Sequence, residues 1–469
     1  MVYSRQFLFD QFSPIAMYDH LKSYFNDDIS FLFESASTSE GNFSFINIGA
    51  LEHLQYQDNI TTYTDANGQT KTLDESPFEF LKNYYKNVDP TTYQDLTREL
   101  RVGYVDGFIG MIGFDAVKVF EPKLRSIMNE LEDQLNIPDI DLIRPRFTLV
   151  FSHKEQKVTF LSPVKEVADD FDAIETSLKS NYDYIPLKQY SETTEGSFTF
   201  NKEQFFDMIE KSKEMIRSGD VFQILMANRY RQECDIDPFS FYRVLRSKNP
   251  SPYMFLMQYK DYNLVGSSPE VMIGLQNNEI LLRPIAGTRK RGQTHQRDHE
   301  LEIEMLNDPK ECAEHIMLVD LGRNDVGRVA KAGTVKVNDL MHVERYSHVM
   351  HMVSDVVATL DEKHDMFDLF AATFTAGTMT GAPKIRAMEL IAEYEGIKRS
   401  FYSGSIAYFG FNGDMDSAIT IRTALVKDKT ITLQAGAGIV ADSVPELEYL
   451  EVTNKLKALK TSLEDLQAP

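Results

Sequence analysis

Hydrophobic and polar residues alternate with a short period through the first 190 residues, the signature of strands rather than helices. Runs such as Phe43-Ser44-Phe45-Ile46-Asn47-Ile48 put apolar side chains on one face of an extended segment. Helical spacing interrupts them near 74–87, 122–136 and 165–181. Between Gly103 and Phe114 four glycines stand among apolar residues, which predicts a strand lying close against other backbone. The polar run Ser191 to Ser197, reached through Tyr184-Ile185-Pro186, reads as a surface crossover and divides the chain into 1–190 and 191–469.

Beyond that crossover the period lengthens. Asn201 and Gln204 form a capping pair, Phe205, Met208, Met215 and Ile216 share a helical face, and Gly219 ends the helix. Further helices are predicted near 238–249, 298–318, 365–371, 382–395 and 445–465. Strands are predicted near 221–230, 253–259, 262–266, 271–276, 279–284, 404–411, 416–425 and 431–438. Runs of strands with interspersed helices, without internal repeats, predict large mixed sheets covered by helices, an α+β fold class.

The length of 469 residues allows about three domains or one intertwined unit. Acidic residues outnumber basic ones, 71 to 49, for a net charge of −22. Such a surface repels phosphate backbones, so no nucleic acid is expected as a partner. An anionic substrate would need local cations or a metal to reverse the field. Two cysteines, Cys234 and Cys312, make neither a disulfide framework nor a cysteine-rich metal site, and point to a reducing, cytoplasmic setting. The N-terminus lacks the apolar core of a signal peptide, and no run approaches 18 apolar residues, so no membrane span is expected.

Two carboxylate pairs change the picture. Glu311 and Glu314 lie within the predicted helix 298–318, and Glu448 and Glu451 on the helix that begins after Ser443. Residues three apart share a helix face, and Lys455 extends the second one. Such pairs are ordinarily solvated surface, but the first runs directly into Ile316-Met317-Leu318-Val319. A buried carboxylate needs a metal or a cation, and oxygen donors from two facing helices suit a hard ion such as Mg²⁺. Glycine clusters at 284–289, 376–384 and 434–439 allow backbone N–H groups to approach a ligand, though none matches a dinucleotide fingerprint or a phosphate-binding loop. Arg422, between apolar neighbours in a predicted interior strand, requires an anionic partner. His351 sits in an apolar strand, where a histidine is usually structural unless other groups converge on it.

Together these segments resemble the chorismate-utilising enzymes, and among them the large subunits of anthranilate synthases. The resemblance rests on PIAGTRKRG at 284–292, DPKECAEHIMLVDLGRNDVGRV at 308–329, RYSHVMHMVS at 345–354, GTMTGAPKIRAMELI at 377–391, YSGSIAYFGFNGDMDSAITIRTAL at 402–425 and QAGAGIVADSVPELEYLEVTNKLKAL at 434–459. It is dense from about 200 onward and thin before. It implies a two-part sandwich of sheets with helices outside, and Mg²⁺ joining the ring carboxylate of chorismate to Glu314 and Glu451, with Glu311 and Glu448 alongside. Lys455 and the Gly287-Thr288 backbone would hold that carboxylate, while Tyr402, Arg422 and Gly438, with Gly436 beside it, would grip the enolpyruvyl carboxylate. Glu270 and His351 are implied as the acid of ammonia addition and the group of pyruvate elimination, with Gln223 and Thr378 also at the catalytic centre.

Two positions separate the branches of the family. Isochorismate- and salicylate-forming relatives activate water with a lysine where this chain has Gln223. Aminodeoxychorismate synthases typically carry a nucleophilic lysine where it has Ala286. Ammonia is then expected from a separate glutamine amidotransferase subunit, since neither cysteine lies on a glycine-rich elbow. Phe31-Leu32-Phe33-Glu34-Ser35-Ala36 resembles the family's regulatory motif, and Pro252, Tyr253 and Met254 match the other wall of a site for tryptophan as feedback inhibitor. The chain contains no Trp, which would suit an enzyme made when tryptophan is scarce. Aminodeoxychorismate synthesis, release of 2-amino-2-deoxyisochorismate and a non-catalytic tryptophan-sensing role remain open at this point.

Overall fold

The computed structural model describes residues 1–35, 43–180, 184–191, 193–346 and 349–468. Ala36, Asn181, Glu192, Ser347 and His348, which the motifs and elements read above include, lie outside them. Among the described residues 22 strands form one continuous sheet, and the pairings between them are antiparallel throughout.

The sheet folds over at its longest pair, Phe43–Gln57 against Ile140–Ser152. A bulge between Ala50 and Glu52 bends this pair, so its two ends belong to different layers. From one end the sheet continues through Ser30–Glu34, Tyr253–Gln258, Asn263–Ser268, Thr423–Lys427, Thr430–Ile439 and Gln223–Glu233. From the other it passes through Gly107–Ile112, Ser405–Gly410, Met415–Ile419, Val271–Gln276, Glu279–Leu282 and Val349–Thr359, which also carries Ile285–Lys290 and Lys336–Arg345. Among the described residues, strand pairing crosses the 190/191 boundary at Ser30–Glu34 with Tyr253–Gln258 and at Gly107–Ile112 with Ser405–Gly410, and isolated bridges join Glu132 to Ile397 and Tyr190 to Gln467.

One buried cluster fills the space between the layers, including Leu32, Leu264 and Leu425 from the first and Met111, Ile273 and Phe409 from the second. The Tyr259 hydroxyl ties them at mid-core, donating to the Asp141 carbonyl at 2.9 Å and accepting from the Met111 N–H at 3.2 Å. Helices Lys202–Ser218, Pro238–Lys248, Lys384–Glu395 and Pro445–Glu464 pack against the first layer. This is the α+β sandwich that the motifs implied.

The glycine-rich strand behaves as its composition predicts. A Cβ on Gly107 or Gly110 would stand 2.0 Å from the carbonyl oxygen of Phe409 or Asp141. The capping pair also forms, with the Asn201 side chain on the Gln204 N–H at 2.9 Å and the reverse bond at 2.9 Å, and Gly219 closes the helix with φ 86°.

Four boundaries differ from expectation. The helix expected over 122–136 is only Pro122–Leu124 and Arg125–Asn129, because the Asp133 side chain takes the N–H groups of Leu135 and Asn136 and turns the chain. The helix expected over 165–181 breaks into Lys165–Asp169 and Phe171–Leu178. That over 298–318 is two helices, His295–Leu306 and Pro309–Gly327, since Asp308 caps the N–H groups of Lys310 and Glu311 and Pro309 starts a new helix. The strand expected over 416–425 is likewise two, Met415–Ile419 and Thr423–Lys427, with Arg422 between them at φ 49°. Helices Pro14–Phe25 and Pro90–Leu100 were not legible in the pattern, the second because it buries none of its residues fully.

Candidate active site

The break at Asp308-Pro309 relocates the first carboxylate pair. Glu311 and Glu314 occupy the opening turns of Pro309–Gly327 rather than a helix centre. Glu448 and Glu451 occupy the opening turns of Pro445–Glu464. Both helix N-termini, with their positive dipole ends, therefore meet at one place.

That place is a cavity of about 590 Å³. Its lining contains Glu270, His351, Gln223 and Thr378; Gly287, Thr288, Tyr402, Arg422, Gly436, Gly438 and Lys455; and Glu311, Glu314, Glu448 and Glu451. Every residue assigned by resemblance to catalysis, substrate or metal is thus brought together. They arrive from several elements: Gln223 opens a strand, Thr378 lies in the turn Gly377–Met379, and His351 faces its register partner Thr288 on the adjacent strand.

At the base of the cavity Thr378 donates its hydroxyl to Glu270 at 3.0 Å. Burial pushes the Glu270 carboxyl up to about 7, against the pull of Thr378, Arg422 and Lys455. His351 Nδ1 lies 3.0 Å from the Gly287 carbonyl and 3.1 Å from the Thr288 hydroxyl. A proton on Nδ1 given to that carbonyl leaves Nε2 with its lone pair, and burial holds the ring below the usual imidazole range, neutral at physiological pH. Arg422 makes no ion pair among the described residues, and the opposing charge it senses is that of Glu270. Burial lowers its pKa, so this guanidinium is a cation in want of an anion.

The acidic wall is under electrostatic tension. Burial raises the pKa of Glu314, with the charge of Glu451 adding to it, and burial raises that of Glu448 in the same surroundings. Glu311 holds Arg289 with one oxygen, at 2.5 Å, while the other is buried without a hydrogen-bond partner. Gly287 leaves room for that second oxygen, since a Cβ there would sit 2.6 Å from it. Lys455 bridges Glu451 at 2.8 Å and the Gly436 carbonyl at 2.9 Å. Among the described residues no three acidic, histidine or cysteine groups form a ready-made metal cage. An all-oxygen wall with an orphaned carboxylate oxygen has the donor chemistry that fits a hard cation.

Several lining residues were not singled out in the sequence. Lys310, whose charge acts on both Glu314 and Glu448, is one; Arg289, just behind the lining, holds Glu311 and was passed over too. Both lay in plain view, next to Glu311 and in the glycine segment, but a single basic residue carries no signal by itself.

A second cavity of about 1270 Å³ adjoins the first, with Pro269 and Ile285 lining both. Pro252 and Tyr253 line it; Glu34, Ser35 and Met254 do not. Met254 is the register partner of Glu34, whose carboxylate turns inward to Tyr242 at 2.7 Å and Arg246 at 2.9 Å.

The chain belongs to the family of chorismate binding enzymes, whose family model matches residues 28–461. Within it the chain groups with the component 1 chains of anthranilate synthase, which are chorismate-utilising lyases. It is 39% identical to anthranilate synthase component 1 of Aquifex aeolicus over 98% of this chain and 94% of that one. The crystal structure of anthranilate synthase component I from Streptococcus pneumoniae TIGR4 superposes with a TM-score of 0.77 at 32% identity, covering 90% of this chain and 93% of that one. The fold extends to the menaquinone-specific isochorismate synthase of Escherichia coli, with a TM-score of 0.72 at 18% identity over 99% of this chain and 95% of that one.

Proposed function

We propose that this chain converts chorismate and ammonia to anthranilate, pyruvate and water, with 2-amino-2-deoxyisochorismate as intermediate. The observation that carries the proposal is the meeting, in one cavity, of a carboxyl held protonated near neutrality, a neutral histidine, an unpaired arginine and a wall of four glutamates.

Mg²⁺ held by Glu311, Glu314, Glu448 and Glu451 would supply positive charge where the ring carboxylate meets this acidic wall. Lys455 and the Gly287-Thr288 backbone support that carboxylate, and Arg422, Tyr402 and the Gly436–Gly438 backbone take the enolpyruvyl one. Ammonia bonds to C2 as the C4–O bond breaks. Hydroxide is a poor leaving group, so Glu270 delivers its proton to make water, and the proton shed by the new ammonium restores the balance. In the second step His351 Nε2 takes the C2 proton, the C3–O bond breaks, and enolpyruvate leaves and is protonated to pyruvate as the ring becomes aromatic.

Ammonia has no source within this chain. Burial pushes the Cys234 thiol up to about 11, and Cys312 donates to the Leu306 carbonyl; neither is an activated nucleophile. A separate glutamine amidotransferase subunit is therefore the proposed partner. Tryptophan is the proposed inhibitor, with the larger cavity at Pro252 and Tyr253 as its site.

The test is product analysis of the purified protein with chorismate, Mg²⁺ and an ammonium salt, with and without EDTA. Fluorescent anthranilate with equimolar pyruvate, lost with EDTA and regained with Mg²⁺, is expected. Aminodeoxychorismate, or an aminated product without pyruvate, would overturn the assignment.

A further inference from the structure

Arg399 does not line the cavity, yet three of its walls hang on it. Its side chain is 2% exposed and sits against Glu395, the last residue of the helix Lys384–Glu395, with the Nε–Oε2 bond at 2.8 Å and the Nη2–Oε1 bond at 2.5 Å. The same guanidinium donates to the Met379 carbonyl at 2.9 Å and to the Leu225 carbonyl at 2.8 Å. Its face lies 4.8 Å over the Phe114 ring. The Arg399 carbonyl accepts from the Gln434 side chain at 3.0 Å, and Glu395 accepts from the Ala227 N–H at 3.0 Å.

Leu225, Met379 and Gln434 are all cavity residues. Leu225 lies two residues beyond Gln223 on the same strand, and Met379 directly follows Thr378. Arg399 also heads the turn that presents Tyr402, in which Ser400 and Ser403 both take positive φ, 59° and 65°. One planar group thus spans the strand that begins with Gln223, the turn that carries Thr378 and the segment that carries Tyr402. A carboxylate and two backbone carbonyls occupy its fork in fixed directions, which a lysine's point charge cannot reproduce.

We propose that Arg399, oriented by Glu395, is a positioning residue that sets the spacing between the Thr378 turn and the Gln223 strand, and so keeps Thr378 on Glu270. The inference rests on the function proposed above, in which Glu270 is the acid. Loss of the clamp lets the turn drift, and Glu270 loses the hydroxyl that partly offsets its burial.

The experiment compares Arg399→Lys, Glu395→Gln, Thr378→Val and the double variant Arg399→Lys/Thr378→Val. Each is followed by chorismate consumption across pH at constant free ammonia. Arg399→Lys is expected to lower kcat about tenfold or more, with a smaller change in KM, and to move the basic limb of the pH profile upward, as Thr378→Val does. The double variant should show no further shift, because both changes break the same link. Glu395→Gln, which keeps shape and loses charge, should fall between Arg399→Lys and the unaltered enzyme. A well-folded Arg399→Lys or Glu395→Gln protein with lowered melting temperature but unmoved kcat and pH limb would overturn the proposal, as would additive losses in the double variant. Because chorismate consumption is read whatever the product, a different wild-type product overturns the proposed function without deciding the role of Arg399.

Discussion

Glu270 shows how far a single residue's behaviour follows from its setting. Its carboxyl, pushed up to about 7 by burial, must be protonated to act, and the protonated fraction falls as pH rises through that value. The kcat measured at constant free ammonia should therefore decline above pH 7, by about tenfold per unit once well past the pKa. Glu270→Gln should lower kcat by roughly 100- to 10,000-fold while leaving chorismate binding nearly intact. A plateau through pH 9, or a variant within threefold of the wild type, would remove Glu270 from the role of acid. At this scale the sequence was generous for residues embedded in long motifs. It was silent on Arg399, because a lone arginine in Lys398-Arg399-Ser400 looks like any surface charge until the fold buries it. It also misplaced Arg422, which stands at a break between strands rather than inside one.

At the scale of elements, the strand Gly107–Ile112 is the sharpest case. Gly110→Ala would drive a methyl to 2.0 Å from the Asp141 carbonyl oxygen, and the pair of strands would have to part. A loss of about 3 kcal/mol or more is expected, read from chemical denaturation. Gly327→Ala is the control: nothing lies within 4 Å of a Cβ there, and the change should be neutral within about 1 kcal/mol. Equal effects at both positions would show that close packing is not what the first glycine serves. Elements with strong local signals, such as the capped helix Lys202–Ser218, could be read ahead of the structure. Two of the errors fell where a side chain redirected the backbone, as Asp133 and Asp308 do. Such hydrogen bonds depend on where the chain already is, and periodicity alone does not contain them. The sandwich itself, with pairs drawn from opposite ends of the chain, was legible only through the resemblance.

The molecule as a whole joins two cavities through a shared wall, Pro269 and Ile285, and Pro269 immediately precedes Glu270. A tryptophan seated in the larger cavity would press on that wall. Tryptophan should raise the melting temperature of the protein and weaken chorismate binding, and chorismate should weaken tryptophan binding by the same factor. Calorimetric titration of each ligand with and without the other reads this directly. No heat and no thermal shift with tryptophan would reject regulation at this site. No helix among the described residues is long and apolar enough to cross a membrane.

The same architecture imposes an order on the making of the protein. Gly107–Ile112 can pair with Ser405–Gly410 only after the ribosome has added about 300 further residues. At typical elongation rates of about 5–20 residues per second that is a wait of roughly 15–60 seconds. Ser30–Glu34 waits in the same way for Tyr253–Gln258. During synthesis the emerging chain therefore carries apolar strands with open edges, and the burden of keeping them apart falls on the cell rather than on the fold.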